Sequence, residues 1–387
     1  MSAASALRAS TIEERMKYGF ADQPGFERQR MQFLLAAEAA GATVTSYPHP
    51  LKGPGGEPLS TDVAWFGSPD ARRVLVAISG THGVEGYYGS ACQSEWLHEL
   101  AGRDLPEGVA VLMVHLINPW GTAWVRRVNE DNVDLNRNYL DFGTALPLNP
   151  RYEAIHEIYT ARDFDGPQRE RADQALAAQL GAIGWAEYRS IVGAGQYMHP
   201  DGLFYGGAQA TWSNRTMRSI AERFLQPAQV AIAFDLHTGA GAFGHPMLMA
   251  IAQARYPALS DAEALYGPWL YTLLTGAQAE VSDTGVVARA TGYTSQALLD
   301  ALPATHLMQL VIECGTYPEA PMHTALRNDH WLHLYGDPSD ALGKEIRCAL
   351  FESFMPADAH WREIAWRRTR DAWERALKAL PDIRPAE

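Results

Sequence analysis

The sequence is poor in cysteine, in positive charge and in long apolar runs, and each shortage excludes a class of protein. Its three cysteines, Cys92, Cys314 and Cys348, are too few and too scattered for a disulfide framework or a cysteine zinc site. The formal net charge of -13 repels nucleic acid and anionic lipid. No apolar run approaches the roughly 20 residues that a transmembrane helix needs. We therefore expect neither nucleic acid nor a membrane as a partner.

The first twenty residues lack the apolar segment and small-residue cleavage site of a signal peptide. Together with the scarcity of cysteine, this predicts a cytoplasmic protein. The length of 387 residues allows one large core, and no repeat, low-complexity linker or charge block marks a domain boundary. We expect a single domain over residues 1–387, with a loop and helix insertion around 145–215. The sequence does not predict the oligomeric state.

What the sequence does contain is a run of small residues that includes a histidine and a carboxylate, SGTHGVEG at 79–86. Residues 74–78 before it are apolar and partly β-branched, which predicts a buried strand of an α/β sheet. His82 and Glu85 then lie on the turn that leaves this strand, where both can reach one metal ion. Catalytic zinc sites use three protein ligands and keep a fourth position for water. A third ligand must therefore come from elsewhere in the chain.

Alternating apolar segments predict a largely parallel sheet with helices on both faces. Strands are predicted at 42–47, 62–66, 74–79, 109–118, 230–236 and 307–312, and helices at 11–41, 88–100, 166–192 and within 339–380. In such sheets, ligands bind beyond the carboxyl ends of the strands. His237 and Glu313 each follow a predicted strand directly, so we expect both at the same edge of the sheet as His82 and Glu85.

These residues predict a hydrolytic centre with one zinc ion bound by His82, Glu85 and His237. Zinc makes a bound water more acidic and polarises a carbonyl group. Glu313, which stands behind a mostly apolar strand, is the candidate general base. Asp235 lies two positions before His237, on the same face of the strand, where it can support that ligand.

The polar stretch at 119–142 is rich in Asn and Arg and has little helical or strand period, which predicts a long loop. Its cations are unusual in an acidic protein unless they meet an anion. Arg127 is the candidate for holding an oxyanion, with Arg126 as the alternative. Asn136 and Arg137 are candidates for binding a substrate carboxylate, because the arginine fork matches a carboxylate bidentately.

Five segments, taken in order, resemble the zinc carboxypeptidase superfamily, which also contains the succinylglutamate desuccinylase and aspartoacylase branch. They are HGVE at 82–85, NPWG at 118–121, DLNRN at 134–138, DLHTG at 235–239 and IECGTY at 312–317. The pattern most resembles a poorly characterised bacterial subgroup. The resemblance implies a three-layer α/β domain with a mixed, mostly parallel, twisted sheet of about eight strands flanked by helices.

The resemblance implies the same metal ligands, general base and carboxylate clamp as the residues alone. It favours Arg127 over Arg126 as the oxyanion arginine, from the spacing to Asn136. The carboxypeptidases also carry a mobile tyrosine upstream of the base, and Tyr293 lies at roughly that place, which makes it a further candidate for substrate binding.

We expect a zinc-dependent hydrolase of an amide bond next to a free carboxylate, with a metallocarboxypeptidase acting on a peptide or peptide-like substrate as the first hypothesis. The second is a deacylase of a small N-acyl amino acid, similar to aspartoacylase or succinylglutamate desuccinylase. The third is an inactive zinc-binding module. The Gly- and aromatic-rich segment 195–207 is either a wall of the substrate pocket or an ordinary surface turn.

Overall fold

A computed structural model of the chain describes residues 24–276 and 290–385, and its centre is a sheet in the order β1-β2-β4-β3-β5-β8-β6-β7. The strands are β1 (Thr43–Lys52), β2 (Pro58–Gly67), β3 (Arg73–Ser79), β4 (Val109–His115), β5 (Val230–Gly239), β6 (Pro246–Ala252), β7 (Leu270–Leu274) and β8 (His306–Gly315). The pairs β3–β4, β3–β5, β5–β8 and β6–β7 are parallel, and the other three are antiparallel. The predicted mixed, mostly parallel sheet of about eight strands is confirmed.

Helices cover both faces of this sheet. They are α1 (Phe26–Ala40), α2 (Gly86–Leu100), α3 (Pro119–Trp124), α4 (Glu153–Tyr159), α5 (Pro167–Gly193), α6 (Trp212–Ile220), α7 (Leu259–Tyr266), α8 (Thr294–Ala301), α9 (Glu319–Tyr335), α10 (Ala341–Phe354) and α11 (Ala359–Ala379). Within the two described ranges, no helix combines the length and the apolar character needed to cross a membrane.

The central strand β3 shows why two layers of helices form. Its side chains alternate between the two faces, as in any strand, and all of them from Val74 onward are buried. Leu75 and Ala77 pack into a core with α1, α2 and α11, whereas Val76 and Ile78 pack into a second core with α6 and α8. A strand that is apolar on both faces requires cover on both.

The parallel strands β4, β3, β5 and β8 end at one edge of the sheet, and two close backbone approaches shape the turn after β3. A Cβ on Gly83 would lie 2.1 Å from the carbonyl carbon of Gly121, so the turn packs directly against α3. Gly80 has φ +75°, and a Cβ there would lie 3.0 Å from the Cα of Leu116. The glycines of the SGTHGVEG run thus allow this turn to pack against the end of β4.

The connection from β4 to β5 contains α3 to α6 and forms a small apolar cluster of its own. Tyr152, Ile155 and Tyr159 from the α4 region pack there against Tyr188 and Val192 of α5. Gly184 has non-helical dihedral angles and kinks α5 in its second half. This segment includes the insertion predicted around 145–215, and it packs beside the carboxyl edge of the sheet.

Several local predictions differ from the structure. The stretch at 119–142 is not wholly a loop, since it contains α3 and a short 3-10 turn at Leu135–Arg137. The strand predicted at 109–118 ends at His115, and the strands β6 and β7 were not predicted. The helix predicted at 11–41 is described from Phe26 onward, while residues 11–23 lie outside the described residues.

Candidate metal centre

Three buried side chains converge at the carboxyl edge of the sheet. His82 and Glu85 lie on the turn between β3 and α2, and His237 lies near the end of β5. The Nδ1 atom of His82 is 2.9 Å from Oε1 of Glu85, and Nδ1 of His237 is 2.9 Å from Oε2 of the same carboxylate. The two Nδ1 atoms are 3.2 Å apart. All three residues predicted as metal ligands therefore face one point.

The spacing of these atoms fits a zinc ion. Zinc binds imidazole nitrogen at roughly 2.0–2.1 Å in tetrahedral geometry, which places two nitrogen ligands about 3.3 Å apart. The observed Nδ1 separation of 3.2 Å between His82 and His237 is close to that value. One carboxylate and two imidazoles also form a typical ligand set of catalytic zinc, and this set leaves a coordination position for water.

The outer nitrogens of both imidazoles face carboxylates. Nε2 of His82 is 3.1 Å from Oδ1 of Asp134, and Nε2 of His237 is 3.0 Å from Oδ2 of Asp235. Such contacts orient a histidine so that its other nitrogen faces the metal. Asp235 lies where the strand alternation placed it, and it also accepts a hydrogen bond from the Thr81 hydroxyl at 2.8 Å.

Asp134 is a residue whose contribution the sequence did not reveal. It stands 52 residues after His82 and caps the 3-10 turn at Leu135–Arg137, where its carboxylate accepts the N–H of Asn136 at 2.9 Å. The same carboxylate lies 3.2 Å from Nε of Arg127. Asp134 therefore joins a metal-ligand candidate to the arginine loop.

The electrostatics of the cluster are those of a cation site. Burial alone would raise the pKa of Glu85, but the imidazoles of His82 and His237 hold the pKa of this carboxylate well below its usual range. Burial would lower the pKa of His237, but Asp235 and Glu85 outweigh it and raise that pKa well above its ordinary value. The carboxylates therefore favour positive charge at the imidazole of His237, which a divalent cation can supply instead of a proton.

Glu313 lies on β8 directly opposite His237 of β5 in the parallel register. Its Oε1 accepts the backbone N–H of Ala240 at 2.9 Å. Burial, followed by the negative charge of Glu85, raises the pKa of Glu313 to about 7. A carboxylate with a pKa in this range, beside a metal site, is suited to accept and return a proton near neutral pH.

The two neighbouring arginines point in different directions. Nη1 of Arg127 lies 3.0 Å from Oε1 of Glu85, and its side chain lines the cavity in front of the metal cluster. Arg126 is buried away from that cavity, with Nε 3.3 Å from Oδ2 of Asp329. Of the two candidates for holding an oxyanion, Arg127 is the one that faces the site.

Asn136 and Arg137 also line the cavity, but both already have protein partners. Nε of Arg137 donates to the carbonyl of Gly193 at 3.1 Å, and its Nη1 donates to the carbonyl of Asn136 at 2.8 Å. The side-chain oxygen of Asn136 accepts from the N–H and the hydroxyl of Thr294 at 3.1 and 2.9 Å. Binding of a carboxylate must therefore use the remaining N–H groups or displace the carbonyl of Gly193 at the end of α5.

Tyr293 comes directly before α8 and borders the same cavity. The guanidinium carbon of Arg137 lies 5.0 Å from the centre of its ring, within the range of a cation–π contact. The structure thus brings Tyr293 next to the predicted carboxylate clamp.

The segment 195–207 contributes a wall of the cavity through Phe204. The Phe204 ring lies 5.0 Å from the guanidinium carbon of Arg127 and 6.0 Å from that of Arg137. Its φ of +53° is left-handed, a conformation that costs a non-glycine residue roughly 1–2 kcal/mol. The loop holds Phe204 in this conformation through a hydrogen bond from the N–H of Gln196 to its carbonyl at 3.1 Å. The sequence indicated the segment 195–207 as a possible pocket wall but did not single out Phe204 within it.

The cavity measures about 410 Å³, within the range of about 300–1,000 Å³ of small-molecule sites. One wall is apolar and comes from the sheet, with Met249 and Ile251 of β6 and Val311 of β8. The insertion also contributes apolar lining, with Tyr188 and Val192 of α5. The metal cluster and Arg127 and Arg137 thus share the cavity with apolar side chains from both the sheet and the insertion.

Comparison with known proteins gives one family match, to the family described as "Protein of unknown function (DUF2817)", over residues 23–368. A comparison with curated proteins finds no match. Among solved structures, the chain is similar to carboxypeptidase A from Helicoverpa armigera, at 15% identity and a TM-score of 0.43, covering 98% of this chain and 79% of that chain.

Two further similar structures are succinylglutamate desuccinylases. The one from Chromobacterium violaceum has 13% identity and a TM-score of 0.36, covering 84% of this chain and 74% of that chain. The one from Silicibacter sp. has 15% identity and a TM-score of 0.37, covering 76% of this chain and 67% of that chain. The similar structures include both branches of the superfamily that the sequence resembles.

Proposed function

The chain belongs to the DUF2817 family, and we propose that it is a zinc-dependent hydrolase that cleaves an amide bond next to a free carboxylate. The observation that carries this proposal is the convergence of His82, Glu85 and His237 on one point, with Glu313 on the adjacent strand. These residues would hold one zinc ion, which when bound makes water more acidic and polarises the scissile carbonyl.

Glu313 supplies the general base. Its carboxylate takes a proton from the attacking water and then delivers it to the leaving amine, so the group ends the reaction in the state in which it began. The N–H of Ala240 at 2.9 Å fixes one carboxylate oxygen and leaves the other for the proton.

Arg127 supplies positive charge where the carbonyl oxygen becomes negative. Its Nε and Nη1 are directed at Asp134 and Glu85, so the guanidinium group is fixed before substrate binds. Nη2 takes part in neither of these two ion pairs, so it would be the donor to the oxyanion. A fixed donor of this kind does not need to reorganise during the reaction.

Arg137 and the apolar wall of the cavity would bind the C-terminal residue of the substrate. The Arg137 guanidinium is the positive group beside Tyr293, and Tyr293 packs in one apolar cluster with Met249, Ile251 and Val311. A terminal amino acid with its carboxylate at Arg137 and an apolar side chain against this cluster fits both features. This favours a carboxypeptidase of peptide-like substrates with an apolar last residue.

The test is product analysis by mass spectrometry after incubation with short blocked peptides and N-acyl amino acids, in the presence of zinc. We expect release of an apolar C-terminal residue and no cleavage of the same peptides with an amidated C-terminus. Release of only small acids from N-acyl amino acids would instead support the deacylase. If all substrates stayed intact with zinc bound, the hydrolase proposal would be wrong.

A further inference from the structure

We propose that the protein binds a second divalent cation, of the zinc class, at a surface site formed by His156, His199 and Asp201. His156 lies on α4, and His199 and Asp201 lie in the segment 195–207. One ligand atom from each of the three residues lies within 4.8 Å of the other two. None of the three lines the cavity of the first metal centre. This site is therefore separate from the catalytic proposal and does not depend on it.

The donor atoms of the surface site are already close together. The rings of His156 and His199 stack with their centres 3.8 Å apart and 19° between their planes. Nε2 of His156 is 2.9 Å from Oδ1 of Asp201, and Nε2 of His199 is 2.8 Å from Oε2 of Glu153. Two imidazoles and a carboxylate form a ligand set that zinc prefers, and Glu153 adds a nearby carboxylate.

Exposure at the site allows an ion to enter and allows water to complete its coordination. The side chains of His156 and His199 are 17% and 21% exposed, while that of Asp201 is 53% exposed. The imidazoles are thus held by the protein, and the carboxylate faces solvent. An ion bound here would keep part of its water shell.

The backbone that carries two of the ligands is fixed without an ion. The N–H of Gly202 donates to the carbonyl of His199 at 3.0 Å and closes a turn that contains Asp201. The side chain of Gln196 accepts the N–H of His199 at 2.8 Å and donates to its carbonyl at 2.7 Å. His330 of α9 contacts the carbonyl of Asp201 at 2.8 Å. The backbone is thus ordered before an ion binds, and only the side chains must move, since the stacked imidazole rings have to rotate for both nitrogens to face one ion.

Binding at this site would join α4 to the segment that carries Phe204. Phe204 is only three residues beyond Asp201 and forms the wall between Arg127 and Arg137. The second ion is therefore expected to stiffen one wall of the main cavity without touching the reacting atoms. Its role is structural.

The test counts zinc bound per chain after equilibrium dialysis against Zn²⁺ alone, measured by inductively coupled plasma mass spectrometry. We expect two ions in the wild-type protein, one in His199→Gln and one in His156→Gln. His360→Gln, at an exposed histidine of α11, is the matched control and should keep two. His237→Gln should lose the ion of the first metal centre and keep the ion of the surface site, so the two sites can be told apart.

Thermal unfolding gives a second readout. In His237→Gln, added Zn²⁺ should raise the melting temperature, because ligand that binds only the folded state stabilises it. The double variant His199→Gln, His237→Gln should show no such rise. A wild-type protein whose bound ion is lost in His237→Gln but kept in His199→Gln, or a His199→Gln variant that still binds two ions, would overturn the proposal.

Discussion

Replacing Glu313 by glutamine removes the proposed general base while keeping its size and its oxygen. The amide oxygen of glutamine can still accept the N–H of Ala240, now 2.9 Å from the carboxylate, so the local backbone should not move. General base catalysis contributes about 10²–10⁴-fold. We therefore expect kcat for Glu313→Gln to fall by that factor, which corresponds to about 3–5 kcal/mol of transition-state stabilisation.

The pH dependence of the wild-type rate tests the same assignment. Glu313 accepts a proton only when it is ionised, and burial raises its pKa to about 7 in the metal-free protein. The rate should therefore rise with pH until this carboxyl group is ionised and then level off. A bound cation favours the ionised form and shifts this rise to lower pH. The residual rate of Glu313→Gln should not increase with pH in this way.

The stability of the metal-free protein, in contrast to the rate, should fall as pH rises. The folded pKa of Glu313 is raised above the ordinary value of 4.5, so the folded protein keeps a proton that the unfolded chain releases. The contribution of this group to stability is complete below pH 4.5 and is lost as pH rises to about 7. Metal-free Glu313→Gln should therefore melt at a higher temperature than the wild type at pH 8, with a smaller difference at pH 5.

The assay combines initial rates on a cleavable blocked peptide with the zinc content of the same preparation. Glu313→Asp is the matched control, because it keeps the charge and moves the carboxylate back by one methylene group. A Glu313→Gln variant that binds zinc and retains a rate within threefold of the wild type would refute the base assignment. Loss of zinc along with activity would show instead that Glu313 is a metal ligand.

Four further substitutions test residues in the candidate site and next to it. Asp134→Asn should weaken zinc binding by about 10–100-fold in a competition titration, because a support of a metal-binding histidine is weakened; unchanged affinity would contradict this. Arg127→Gln should lower kcat by about 10²–10³-fold with zinc retained. Arg126→Gln should leave kcat nearly unchanged. In denaturant, it should reduce the free energy of unfolding by about 3–5 kcal/mol, because it leaves Asp329 buried without its arginine partner. If Arg126→Gln instead lost activity and Arg127→Gln lost only stability, the roles of the two arginines would be exchanged. Phe204→Gly relieves the left-handed backbone at φ +53° but removes a half-buried ring that packs on the apolar cluster of α4 and α5, so the melting temperature should fall. The same variant should lower kcat/KM about tenfold or more; full activity would show that the ring has no role in the site.

The metal-ligand candidates could be predicted because their signals are local. His82 and Glu85 share one turn, and His237 and Glu313 each directly follow an apolar run that reads as a buried strand. Carboxyl ends of parallel strands meet at one edge, so three separate segments were enough to predict one cluster. The structure brings these side chains together, while their roles stay predictions.

Other features depend on contacts that no local pattern shows. Asp134 reaches His82 across 52 positions, and the left-handed backbone of Phe204 follows from the hydrogen bonds of its loop. The helix α3, in contrast, had a readable start. Asn118 accepts the N–H of Gly121 as its cap, and Pro119 occupies the first helical position. The lack of a helical or strand period in the rest of the stretch 119–142 hides this short helix.

The strands β6 and β7 were missed for a different reason. β6 (PMLMAIA) is apolar but has a single β-branched residue, Ile251, and rich methionine and alanine content fits a helix equally well. β7 is five residues long and lies at the edge of the sheet. Their strand state comes from pairing with β8 and with each other, which is a tertiary effect.

The most direct measurement is anomalous scattering at the zinc absorption edge from crystals of the zinc-loaded protein. We expect a peak roughly 2.0–2.1 Å from Nδ1 of both His82 and His237 and within bonding distance of the Glu85 carboxylate, with Glu313 beside its open position. Zinc found only elsewhere, with these three side chains unligated, would contradict the hydrolytic centre proposed here.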